Sequence, residues 1–119
     1  MTANMGTYTF SATYIEPATV KPQLNDSETT LIIRGIDRAT GDEVDLSITK
    51  YVAKPGTYSI VQGQATATYY HNGTSYPASG GVVAIKTVGS NSLSGYFSFT
   101  TAINSVTAGD YVVGKPWDY

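Results

Sequence analysis

The chain predicts an all-β fold: an antiparallel β-sandwich or flattened barrel of eight to nine strands, with mostly meander connections and no significant helix. Three observations carry that prediction. Apolar and polar residues alternate with a period of two over several separate runs, most clearly from Gly56 to Thr101. The runs are separated by short Gly-, Asn- and Ser-containing turns. Tyrosine is used 10 times and glycine 12 times, and charged residues make up only 13 % of the chain. Aromatic and β-branched residues suit a pleated, half-buried surface, and glycine punctuates it.

Taken in order, Thr7–Tyr14 is the first predicted strand, with Tyr8, Phe10, Ala12 and Tyr14 on one face. Residues 1–6 read as an appended or disordered N-terminus. Ile15–Glu28 is a long loop in which Pro17 and Pro22 forbid a regular central strand, with room for a short extended piece through Ala18–Val20. Thr29–Ile36 and Glu43–Lys50 flank the turn Asp37–Asp42 as a hairpin, with Val44, Leu46 and Ile48 inward. Lys54-Pro55-Gly56 breaks the chain before a short strand, Thr57–Val61, and Gly63 turns it into Ala65–His71.

Asn72-Gly73 then lies between two tyrosine-bearing runs. That dipeptide is the strongest short hairpin signal, because a type I′ turn needs positive φ at both central residues. Gly81–Val88 and Ser92–Thr101 form a further hairpin about Gly89-Ser90-Asn91. Leu93, Gly95, Phe97 and Phe99 face the core there, and Tyr96 faces away. Asp110–Val113 is the last strand, with Val112 assigned to the core, and KPWDY is an aromatic tail. The whole chain, residues 1–119, is a single β domain.

Composition excludes several functions. Net charge is −2, and the seven basic residues are scattered, so no basic stripe exists for nucleic acid or anionic lipid. No apolar run is long enough to span a bilayer. With no cysteine, there is no disulfide, thiolate metal site or cysteine nucleophile. No cofactor, metal or catalytic residue is expected. His71 is the lone histidine and reads as an exposed turn residue, because a hairpin tip rarely supplies the partner and pocket a general base needs. Asp42, Glu43 and Asp45 cluster at a strand start. Glu43 and Asp45 share a face and read as solvated edge charge.

The aromatics supply the one functional suggestion. Tyr69, Tyr70 and Tyr76 surround the Asn72-Gly73 hairpin, and Trp117 lies near the C-terminus. Exposed rings stack on flat ligands or anchor interfaces, so these four residues are the candidate ligand-binding set, with the Ile15–Glu28 loop as a second surface.

The segments GTYSI, YYHNGTSYPASGGVVAI and SLSGYFSFTT, with the opening TYTFSATY, resemble small β domains of unknown function in exported lipoproteins of Bacteroidetes-type bacteria. A G-x-x-W element common there is replaced here by Tyr14–Pro22. The resemblance implies export to the periplasm or cell surface, lipid anchoring through a cysteine outside this chain, and no enzyme activity. The expected function is therefore a non-enzymatic binding module for a glycan or partner protein. The alternative is a structural module that assembles through exposed strand edges, and a hydrolase is the remaining possibility.

Overall fold

The computed structural model describes residues 1–16, 19–22 and 29–114. It is all-β: among the described residues there are twelve strands and no helix. They are β1 (Thr2–Asn4), β2 (Thr9–Ser11), β3 (Tyr14–Ile15), β4 (Thr19–Pro22), β5 (Thr29–Asp37), β6 (Asp42–Ile48), β7 (Gly56–Ser59), β8 (Ala65–His71), β9 (Thr74–Pro77), β10 (Gly80–Val88), β11 (Ser92–Thr100) and β12 (Ser105–Gly114). One antiparallel sheet runs β2-β1-β12-β11-β10-β7. The other runs β3-β5-β6-β8-β9, with β4 also paired to β5. The sheets pack as a sandwich around one apolar cluster that includes Phe10, Leu31, Leu46, Val83, Phe97 and Tyr111.

The strand count exceeds the expected eight to nine for a definite reason. The predicted first strand divides: Thr9–Ser11 pairs in one sheet and Tyr14–Ile15 in the other, so the chain changes sheets at Ala12–Thr13. Phe10 is fully buried, whereas Tyr14 is exposed and carries the Arg38 guanidinium over its ring. Strands β1 and β4 are further additions. Residues 1–6 were expected to lie outside the fold. Instead Thr2–Asn4 pairs with β12, and Met1, Ala3 and Met5 are buried. Their alternation is short but regular enough to bury one face. In the Ile15–Glu28 stretch, Thr19–Pro22 lies along β5, with Pro22 at the strand end where no ladder donor is required.

The turn chemistry matches the turns formed. Asn72 (φ 51°) and Gly73 (φ 78°) both adopt positive φ, as a type I′ hairpin requires. At the β5–β6 turn the Gly41 amide donates to the Asp37 carbonyl at 2.7 Å. Inward alternation is kept in β11, where Leu93, Gly95, Phe97 and Phe99 are buried and Tyr96 is exposed.

Strand β12 corrects one core assignment. Val112 is 65 % exposed, and its neighbours Tyr111 and Val113 are buried instead. The cause is a β-bulge. Phe97 pairs with Gly109 and Phe99 with Val106, so an extra residue is inserted opposite Ser98. Ala108 takes up the distortion with φ of 50°. One inserted residue inverts every side chain beyond it, so burial passes from Val106 to Gly109, Tyr111 and Val113.

Two glycines make the central packing of this sheet possible. A Cβ on Gly95 would lie 1.9 Å from the Ala84 carbonyl oxygen and 2.5 Å from the Tyr111 hydroxyl. The Tyr111 ring occupies that space, and its hydroxyl donates to the Ala84 carbonyl at 2.6 Å. Burial pushes this phenol well above its ordinary pKa. Phe97 lies over Gly109 in the same way, 2.4 Å from where a Cβ would sit.

Candidate functional site

The turn histidine is not isolated. Strand β6 buries Asp42, Val44, Leu46 and Ile48 on one face, and strand β8 buries Ala65, Ala67 and Tyr69 on one face with His71 next in phase. The last inward positions of these paired strands meet at one end of the sandwich. There, Asp42 is 1 % exposed and its Oδ1 lies 2.9 Å from His71 Nδ1. Its Oδ2 accepts from the Tyr69 hydroxyl at 2.9 Å and from the Tyr8 hydroxyl. The Tyr8 and Tyr69 oxygens are 2.6 Å apart, and the His71 ring stacks on Tyr69 with centroids at 5.7 Å. Tyr8 enters from the β1–β2 connection of the opposite sheet, so the network ties the two sheets together.

The electrostatics follow from that arrangement. Burial alone would raise the Asp42 pKa. The donors Tyr8, His71 and Tyr69 outweigh it and hold this carboxyl below the usual range. Burial followed by the bonds to Asp42 and Tyr69 pushes the Tyr8 phenol far up. Burial likewise pushes Tyr69 up to about 12. A buried carboxylate is the strongest acceptor present, so it accepts a hydrogen bond from the imidazole Nδ1–H. That leaves Nε2 as the outer nitrogen of the ring. Asn72 Nδ2 lies 3.2 Å from that nitrogen.

Beside this network is a pocket of about 390 Å³, within the range of small-ligand sites. Met5, Gly6, Thr7 and Tyr8 line it from the β1–β2 connection. Ile103 and Asn104 line it from the β11–β12 connection, Ser105 from the start of β12, and Tyr69 and His71 from β8. Asn104 is braced by the Thr101 hydroxyl, which donates to its Oδ1 at 2.6 Å.

The predicted tyrosine set does not form one platform. Tyr69 is 2 % exposed and belongs to the core, because it shares the phase of Ala65 and Ala67. Tyr76 pairs with Tyr69 across β8–β9, with ring centroids at 6.3 Å, and is half-buried against the core. Tyr70 points to the other face and is half-buried. Trp117 lies outside the described residues. The expectation of an exposed turn histidine and of an acidic cluster at a strand start keeps apart two residues, His71 and Asp42, that the fold joins. The phase of Asp42 with Val44, Leu46 and Ile48 was the available signal.

Glu43 and Asp45 do share the outer face of β6, but they are not simply solvated. Arg34 Nε lies 3.2 Å from Glu43 and 3.4 Å from Asp45, and its Nη1 is 3.5 Å from Glu16. Burial, and then the neighbouring Glu43 carboxyl, push Asp45 up to about 7. The Arg34 charge opposes this but is divided among three carboxylates. Among the described residues, no group of three or more His, Cys, Asp or Glu side chains could hold a metal ion.

No protein-family model matches the chain, and no match is found among curated proteins or solved structures.

Proposed function

We propose that this chain is an exported, non-enzymatic β domain that binds a glycan, and that the ligand enters the pocket beside Tyr8 and His71. The observation that carries the reading is the pocket itself: a concavity of about 390 Å³ between the two sheets, walled by Met5 and Ile103 and edged by polar side chains. A concave site of that size suits one or two units of a small ligand better than the flat face of a protein. The low charge and the resemblance to exported lipoprotein domains support export to the periplasm or surface, with an anchor supplied outside this chain. Among the described residues, no helix is long and apolar enough to cross a membrane.

A glycan array probed with the parent chain and with His71→Ala tests this. Binding to a defined glycan set, weakened in the variant, supports it; a blank array with folded protein removes it. A partner protein, the other candidate ligand, would then be sought by cross-linking.

The assembly alternative draws little support from the strand edges. Among the described residues the sheet edges are β2 and β7 in one sheet and β9 and β3 with β4 in the other, none longer than four residues, and short edges recruit partners poorly. Sedimentation over a range of concentrations separates the two readings, since self-association through edges grows with concentration. The hydrolase reading is favoured by one observation, the contact between buried Asp42 and His71 Nδ1, which is how a carboxylate orients a general base. Among the described residues, the neighbour of His71 Nε2 is the Asn72 amide rather than a hydroxyl nucleophile. Hydrolysis of model esters or glycosides that is lost in His71→Ala would support this reading over simple binding.

A further inference from the structure

Resting on the glycan reading, we infer that this pocket selects an uncharged sugar unit, with His71 Nε2 accepting a hydroxyl proton and Met5, Tyr8 and Ile103 providing the apolar wall. Among the described residues, no Lys, Arg, Asp or Glu lines the pocket. Asp42, the carboxylate behind the lining residues Tyr8, Tyr69 and His71, is 1 % exposed, and both its oxygens are engaged by them. The lining therefore offers neither a lysine or arginine to meet an acidic sugar nor a free carboxylate to meet an amino sugar. An ionised group entering it would give up water against a lining that holds no lysine, arginine or free carboxylate.

A neutral sugar fits both halves of this surface. Its C–H face packs on Met5, Ile103 and the Tyr8 ring, and its hydroxyls meet Thr7, Ser105 and the imidazole. Asp42 makes His71 a specificity-determining residue. It anchors the ring through Nδ1, and Nε2 faces an amide donor, Asn72 Nδ2, at 3.2 Å; Nε2 so placed is an acceptor, which a hydroxyl can use and a carboxylate cannot. The Asn72 amide near Nε2 is an exposed hairpin side chain that a ligand hydroxyl can displace.

The test is a backbone-amide NMR titration of the full chain with two panels: neutral oligosaccharides (glucose, galactose, mannose and xylose oligomers) and acidic ones (oligogalacturonates and sulfated oligosaccharides), each at low and high salt. Expected are shifts centred on Gly6, Thr7, His71 and Ser105 with at least one neutral oligomer. The affinity should be insensitive to salt. His71→Ala should weaken it about three- to tenfold, the loss of one neutral hydrogen bond. Ile103→Ser is the second variant. Ile103 is 52 % exposed, so its substitution spares the core while removing the apolar wall, and it too should weaken binding. Acidic oligomers binding as tightly as neutral ones, or salt-sensitive binding, would overturn the inference and leave the glycan reading standing. So would shifts confined to Tyr70 and the outer face of the β8–β9 hairpin. Binding by neither panel would remove both.

Discussion

Asp42→Asn isolates the network that joins the two sheets. The substitution keeps the side-chain shape and removes the charge that three donors surround. A hydrogen bond to a charged group contributes about 1.5–3 kcal/mol net. Of the three donors only Tyr69 is fully buried; Tyr8 and His71 are half-buried and recover part of their loss from water. Counting the Tyr69 bond fully and the other two in part gives a destabilisation of about 2–4 kcal/mol. For a domain of this size, that lowers the melting midpoint by roughly 10 °C or more.

The pH profile supplies a second signature. The folded-state pKa of Asp42 lies below its unfolded value. Its stabilisation is therefore fully present above the unfolded pKa, about 3.9, and is lost as pH falls through the folded pKa beneath it. Urea unfolding of the parent and variant, repeated from neutral pH downward, should show a constant gap that closes in acid. Tyr69→Phe, and the double variant with Asp42→Asn, should show strong coupling in a mutant cycle. An Asp42→Asn protein within about 0.5 kcal/mol of the parent at neutral pH would refute the reasoning. So would a gap that stays constant as pH is lowered.

Three further outcomes follow from the packing and charge. Gly95→Ala should fail to fold or lose more than about 3 kcal/mol, because its Cβ meets backbone oxygen and the Tyr111 ring at once; solubility and melting read this directly. In β12, Val112→Thr should change stability by less than about 0.5 kcal/mol and Val113→Thr by roughly 1–3 kcal/mol, measured by chemical unfolding. The reverse order would show that the bulge is misplaced. Asp45 is raised to about 7 in the fold, so the unfolded chain ionises first and stability drains away between about pH 4 and that value. Asp45→Asn should flatten this decline and raise the melting midpoint at pH above about 7, whereas an unchanged slope would discount the Glu43–Asp45 coupling.

Legibility in the sequence followed the range of the interactions involved. The hairpin at Asn72-Gly73 and the faces of β6 and β11 depend on residues within a few positions of one another, so local alternation and turn chemistry revealed them. The division of Thr7–Tyr14 between sheets was not legible, because Tyr8, Phe10 and Ala12 continue one alternating pattern while the chain changes partners. Val112 was misassigned within the expected strand Asp110–Val113, because adjacent valines suit the core equally and only the pairing of β12 with β11 turns Tyr111 and Val113 inward.

Tyr69 and Asp42 are the instructive pair. Each shares the phase of apolar neighbours in its own strand, so burial of both was implied by parity alone. Their residue types, a tyrosine beside a turn and an acid beside other acids, suggested exposure instead. By itself the sequence determined an all-β chain, its main hairpins and the inward faces of β6 and β11, because a period of two and the φ demands of turns are local. Only the tertiary structure decided that Tyr8, Asp42, Tyr69 and His71 converge beside a pocket. Tyr8 and His71 lie 63 positions apart, and a buried carboxylate finds its donors through sheet packing, which no local pattern encodes.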